Sequence, residues 1–290
     1  MNVQVELLLS QLVLGLINGS FYALLALGLA IIVGMLGIIN FAHGAFYMTG
    51  AFVCWMLLQY LNIGYWPALL LTPLILAAVG ALIEPTLLRP LYHLDPVYGL
   101  LVTFGMVLVL ESVFRISYGI SGRPYQLPAE FEGAIDLGFM LLPRYRAWVI
   151  VISLATCAVT ILGIERTRLG AHLRAALEKP HLLETFGVNV PRMISCTFAF
   201  GLALAGFAGA LAAPIYQVSP VMGAHLIIVV FAIIVIGGMG SIIGAVLTGL
   251  TIGVIEGLAK VFYPEGATVI VFIVMAVVLM VRPSGLFGRA

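Results

Sequence analysis

Charge is the scarcest property of this sequence. Of 290 residues only 9% are charged, 63% are hydrophobic and the mean hydropathy is +1.19, whereas about 25% of a typical soluble domain is charged. Too little polar surface remains to face water all round, so the chain reads as an integral membrane protein. A net charge of +1 excludes the basic patch or stripe of a nucleic-acid-binding surface. Lysine occurs only at Lys179 and Lys260, which precede Pro180 and Val261. A P-loop needs Lys followed by Ser or Thr after a glycine-rich turn, so that ATPase motif is absent, as are GxSxG and HExxH. No catalytic residue and no metal ligand is expected. The three cysteines, Cys54, Cys157 and Cys196, are odd in number, lie in apolar segments without ligand spacing, and read as small core residues. The opening MNVQVELLLSQ holds Glu6 but no Lys or Arg. It therefore lacks the charged start of a cleaved signal, and the first apolar stretch is expected to remain as a span.

What the sequence has in abundance is apolar run length. A bilayer span takes roughly 20 residues. Suitable runs fall at Leu8 to Leu36, Phe41 to Leu61, Tyr65 to Leu82, Val97 to Tyr118, Trp148 to Ile164, Met193 to Tyr216 and Val269 to Val281. Between the last two lies Ala224 to Val261, too long for one ordinary helix, with Gly237-Gly238-Met239-Gly240-Ser241 at its middle. Each glycine costs a helix about 1 kcal/mol, so a break is expected there, giving two half-spans or a span and a re-entrant piece. Only helices and closed barrels satisfy the backbone in lipid, and these runs are too long and too unalternating for barrel strands. The expected fold is all-α: a polytopic membrane bundle of about eight or nine spans in a single domain, residues 1–290.

Lysine and arginine set orientation. Arg166, Arg168, Arg174, Lys179 and Arg192 crowd the segment from Glu165 to Arg192, and Arg282 and Arg289 follow the last run, so both regions are expected in the cytoplasm. Arg89 and His93 mark RPLYHLDP as cytoplasmic too. Counting back puts the N-terminus outside. Arg123, Arg144 and Arg146 pull the other way, since the Gly119 to Tyr145 loop falls outside in this scheme.

Several features interrupt the apolar background. Gly240, Gly244, Gly249, Gly253 and Gly257 form a ladder of small residues, and Gly15 with Gly19 and Gly201, Ala205 with Gly209 repeat it. Such faces let helix backbones approach in lipid; packing within the bundle is the favoured reading, a homodimer face the other. Asn40 and His43 stand three apart among Gly34, Gly37 and Gly44. Polar groups at such depth face a bundle interior or a water-filled cavity, as path residues or as ties between helices. IIVIGGMGSIIGAVLTG (233–249) repeats the character of IIVGMLGIINFAHGAFYMTG (31–50), and matched interruptions in two halves point to a transport path at a pseudo-symmetric interface. Glu111 and Arg115, four apart with the acid first, have the spacing of a helix ion pair, as do Glu256 and Lys260. Finally, ERTRLGAHLRAALEKPHLLETFGVNVPRM (165–193) is an amphipathic stretch, ended by Pro180 and followed by a short turn that closes at Gly187.

NGSFYALLALGLAIIVGMLGIINFAHGAFYMTGAF (18–52), RTRLGAHLRAALEKPHLLETFGVNVPRM (166–193), VVFAIIVIGGMGSIIGAVLTGLTIGVIEG (229–257) and VLMVRPSGLFG (278–288) together resemble the LivH type of branched-chain amino acid ABC transporter permease, over essentially the whole chain. The resemblance implies an inner-membrane importer subunit working by alternating access, without an ATPase of its own. Its partners would be a LivM-type permease, two cytoplasmic ABC ATPases that carry ATP and Mg, and a periplasmic substrate-binding protein, with lipid around it and no nucleic acid. Asn40, Phe41, His43 and Gly44 match the INFAHG motif, and Gly237, Gly238, Gly240 and Ser241 the GGxGS element, as translocation-path residues. The 165–192 loop, with Arg174, Ala175, Ala176, Glu178, Pro180 and Gly187, would dock on the ATPases. Here the chain departs from the family, with His181, Leu182 and Leu183 after the proline and no strict Glu-Ala-Ala signature. Related permeases serve urea, amides or other amino acids. The rival of another class is a self-sufficient secondary carrier or channel, which needs membrane carboxylates; of these only Glu111 is read as lying well inside a span.

Overall fold

A computed structural model describes residues 3–37, 40–167, 170–173, 175 and 180–288. Ten α-helices have both ends among them: α1 (Val3–Leu36), α2 (Ala42–Leu61), α3 (Tyr65–Ile83), α4 (Pro96–Tyr118), α5 (Arg144–Arg166), α6 (Pro180–Thr185), α7 (Val190–Ala212), α8 (Met222–Gly237), α9 (Ile242–Phe262) and α10 (Ala267–Val281), and residues 170–173 and 175 are helical as well. Eight segments are long and apolar enough to cross a membrane, and α8 is a shorter apolar helix. At 16 residues and 1.5 Å per residue, α8 spans only about 24 Å. The expected all-α membrane bundle is therefore what forms; the strands β1 (Ala134–Asp136) and β2 (Leu141–Pro143) make one small antiparallel hairpin in the α4–α5 loop, Ile135 facing Leu142.

Local chemistry sets the helix ends. Asp95 accepts a hydrogen bond from the Val97 amide (2.9 Å) ahead of Pro96, and Asn189 accepts one from Arg192 (3.0 Å) ahead of Pro191. Each satisfies an amide that the helix itself leaves unpaired. Asn62 closes α2 in the left-handed conformation at φ 54°, a geometry that Asn tolerates better than most residues.

Small residues determine how the helices pack. Along the most apolar stretch of α1, 89% of residues are buried, against 17% for α4 and 11% for α10, so α1 is the axis of the bundle and α4 and α10 lie at its perimeter. A Cβ on Gly249 would lie 2.7 Å from the Cα of Ala23, one on Gly15 2.6 Å from the Gly253 carbonyl oxygen, and one on Gly257 2.7 Å from the Gly15 Cα. The ladder thus seats α9 antiparallel on α1, backbone to backbone. Helix α7 packs as closely on the other side, its Gly201 meeting Gly28 of α1 and its Gly206 meeting Gly50 of α2. The small-residue faces are spent inside this chain, which settles the ladder as bundle packing. Because α10 follows α9 through the short turn Pro264–Gly266, it runs parallel to α1, and the first and last described residues sit at opposite ends of the bundle.

Candidate functional site

The break expected near residue 237 is present. Helix α8 stops at Gly237, Gly238 and Gly240 have φ of 99° and 84°, and Ser241 opens α9 by accepting a hydrogen bond from the Gly244 amide at 3.1 Å. Positive φ is costly for any residue with a Cβ, so glycines are required there. The first interruption, between α1 and α2, includes Gly37 at φ 64°. The second break lies against the last turns of α1, just ahead of the first: a Cβ on Gly34 would be 3.3 Å from the Gly240 Cα.

Asn40 is 2% exposed. Its Oδ1 accepts from the Ala42 amide (3.0 Å), its carbonyl accepts from the His43 amide (3.4 Å), and its Nδ2 has no protein partner. Phe41 stacks obliquely on Phe231 of α8, ring centres 4.7 Å apart, and its amide points at Thr103 Oγ1 (3.4 Å). His43 is fully buried; Nε2 lies 3.2 Å from the Leu25 carbonyl of α1, where it must be the donor, and Nδ1 is left unpartnered. The imidazole fits because Gly28 has no side chain: a Cβ there would be 3.1 Å from Cε1. Gly44 brings α2 onto the first turn of α8, its hypothetical Cβ 2.7 Å from the Gly223 carbonyl oxygen. Phe41, His43 and Gly44 therefore tie the start of α2 to α1 and α8, while Asn40 bonds, among the described residues, only within its own turn. Gly237 and Gly238 are buried beneath the C-terminal tail, whose Leu286 and Phe287 amides donate to the Ile236 and Gly237 carbonyls (2.8 and 3.1 Å), while Gly240 is exposed.

Other expectations are corrected. Among the described residues the ion pairs are Arg89 with Glu84 and Lys260 with Glu256; Glu111 and Arg115 form none. Glu111 is half-buried and Arg115 exposed on the perimeter helix α4, where Arg115, near the helix end, can extend along the surface rather than fold back. Cys54 and Cys157 are buried as expected, but Cys196 is exposed on α7. Of the 165–192 loop, Arg174, Ala176 and Glu178 lie outside the described residues. Ala175 is exposed, Pro180 opens α6, and Gly187 follows α6 at φ 82°; residues 176–179, where the expected preceding helix would end, lie outside the described residues.

Two buried carboxylates carry more than their sequence context indicates. Glu256, 4% exposed, accepts from Tyr22 of α1 (2.7 Å) and pairs with Lys260 (2.8 Å); the adjacent Gly257 lets α1 close over it. Glu84, fully buried, sits in a π-helical turn, Glu84–Leu88, that follows α3. That turn bonds residues five apart, which brings Arg89 back over Glu84 (2.7 Å); Tyr92 (2.9 Å) and Ser195 of α7 (2.5 Å) donate to the same carboxylate. Burial, and donation to Glu84, push the Tyr92 phenol above its ordinary pKa, so it stays a donor. The visible signals were Glu84 and Arg89, each followed by proline, and the Glu256–Lys260 spacing. Neither reveals burial.

Known proteins supply the context. The family model described as branched-chain amino acid transport system / permease component matches residues 11–280. The high-affinity branched-chain amino acid transport system permease protein BraD of Pseudomonas aeruginosa is 33% identical over 97% of this chain and 96% of its own. LivH of Escherichia coli K12, a permease protein of the same kind of system, is 32% identical over 100% of this chain and 98% of its own. LivM of Escherichia coli K12 is more distant, at 29% over 91% and 67%. Among solved structures, PsaBC from Streptococcus pneumoniae in complex with Fab matches at TM-score 0.50 and 10% identity, over 92% of this chain and 89% of that one, a likeness of fold alone. A near full-length family match, relatives at a third identity and a helix bundle broken where the motifs fall together place this chain in the branched-chain amino acid transport permease family.

Proposed function

We propose that this chain is the permease subunit of an ATP-driven importer that moves branched-chain or chemically related amino acids inward across the bacterial inner membrane by alternating access. The observation that carries the reading is the family match joined to two helix interruptions, the second of which packs at Gly240 against Gly34 near the end of α1. Such paired interruptions are where transporter bundles build their binding path. With no P-loop in the sequence, hydrolysis belongs to two partner ATPases, which hold the ATP and Mg. A second, LivM-type permease completes the pore, and a periplasmic binding protein delivers substrate. Segment 165–192 is the docking surface for the ATPases, with exposed Ala175 and the α6–Gly187 turn among its described residues. In this reading the N-terminus is periplasmic and the C-terminus cytoplasmic. Nucleotide drives transport only by favouring one access state over the other.

The test is purification of the chain from its native membrane, then reconstitution of what co-purifies with a leucine-loaded binding protein. A second permease and P-loop ATPases are expected to co-purify, and leucine uptake to require ATP. Uptake of urea or amides instead of leucine would reassign the substrate. Uptake by the chain alone, without ATP, would replace the importer with a carrier.

A further inference from the structure

One cavity opens among α1, α5, α9 and the segment after α7, at the end of the bundle that holds the start of α1. Its volume is about 330 Å³, at the low end of pockets that hold small ligands, roughly 300–1,000 Å³. The wall is two-sided. Arg146 and Lys260 stand on it with the amides of Gln11 and Asn18, while Leu14, Ile17 and Ile215 supply an aliphatic flank. The polar side is ordered rather than loose: Tyr216 donates to Asn18 Oδ1 (3.1 Å), which leaves the Asn18 amide nitrogen free to donate.

Charge decides what this cavity accepts. Lys260 is already neutralised by the buried Glu256, whose other oxygen is taken by Tyr22. Arg146, half-buried, makes no ion pair or hydrogen bond to any described residue. The lining therefore carries one uncompensated guanidinium, and guanidinium pairs with a planar carboxylate through two parallel hydrogen bonds. A half-buried cation without a counter-charge, in the first turn of a span, is a candidate position for binding an anion. An anion alone would not need the aliphatic flank. A small amino acid uses both sides.

We infer that this cavity is a carboxylate-binding vestibule, in which Arg146 takes the α-carboxylate of a free aliphatic amino acid and Leu14, Ile17 and Ile215 receive its side chain. Glu256 keeps Lys260 from competing as a second strong anion site. The choice of an amino acid as the carboxylate rests on the permease reading; the recognition of a carboxylate by Arg146 does not.

The experiment is protection of Arg146 from phenylglyoxal in the purified permease complex, read by peptide mass spectrometry, with acetate, leucine and leucinamide as ligands. Leucine is expected to protect at lower concentration than acetate, and leucinamide, which lacks the carboxylate, not to protect. Equal protection by leucinamide overturns the proposal. So does an Arg146 that is unreactive before any ligand is added, since it then already has a partner, or one that reacts and is never protected. Protection by nanodiscs of anionic phospholipid without leucine assigns the site to a lipid phosphate and overturns it as well. In assembled complexes Arg146→Gln should lower ATP-driven leucine uptake at saturating binding protein about tenfold, the scale of one charge-assisted hydrogen bond, with Arg146→Lys intermediate. Wild-type uptake with an unaffected Arg146→Gln variant refutes the vestibule alone. Absence of leucine uptake in the wild type refutes the permease reading, and acetate protection still reports on Arg146.

Discussion

A buried histidine with one nitrogen bonded and the other idle is an incomplete arrangement. His43 donates from Nε2 to the Leu25 carbonyl and leaves Nδ1 without a protein partner, and Asn40 leaves Nδ2 in the same condition. A buried polar atom left unpaired costs about 1–3 kcal/mol, so two such atoms at one helix break favour an arrangement in which both find partners. That pair of unpaired atoms at one break is the ground on which Asn40 and His43 are proposed as path residues. His43→Ala and Asn40→Ala are expected to remove most ATP-driven uptake while the complex assembles at wild-type yield. Asn40→Ala also gives up the bond to the Ala42 amide, worth about 1 kcal/mol. Near-normal uptake in both variants would return these residues to a purely structural role. Glu84 is the opposite case, with Arg89, Tyr92 and Ser195 all donating to it; it anchors the end of α3 to α7.

At the scale of the element, the decisive contact is the seam of α1 with α9. Gly249→Leu would drive a side chain into the backbone of Ala23, an overpacking that costs at least about 1–3 kcal/mol. It should lower yield and the unfolding midpoint in detergent. Gly105→Leu on α4, where nothing lies within 4 Å of an added Cβ, should change neither. The seam was legible because small residues at helical spacing have one use in lipid, and the break at Gly237 to Ser241 was legible because glycine runs end helices. The π turn after α3 was not, since residues five apart carry no recognised periodicity. Nor was the burial of Glu256: its spacing to Lys260 matches that of a surface pair, and only the approach of α1 over Gly257 encloses it. The same spacing at Glu111 and Arg115 forms no pair. A spacing states which residues can meet, and the neighbouring helices decide whether they do.

For the whole molecule the open question of orientation reduces to one end against the other. The three arginines that pull against the scheme share an end where the structure gives two of them specific surroundings. Arg123 lies 6.0 Å from the Trp55 ring centre and donates to the Tyr118 carbonyl (2.9 Å), and Arg146 lines the vestibule. Trp55, Tyr65, Trp66, Tyr145 and Trp148 gather at that end, as aromatic residues do at a membrane interface. In a cysteine-free background, Glu265→Cys should react with an impermeant maleimide from the periplasmic side and Ser284→Cys only from the cytoplasmic side; the reverse pattern would invert the molecule. The tail that holds Ser284 has a consequence for biogenesis. The carbonyls at the end of α8 receive their donors from Leu286 and Phe287, so during synthesis that helix stays unfinished until some fifty later residues have left the ribosome. The short, broken part of the bundle is thus the last to be fastened, after the long helices around it have already inserted.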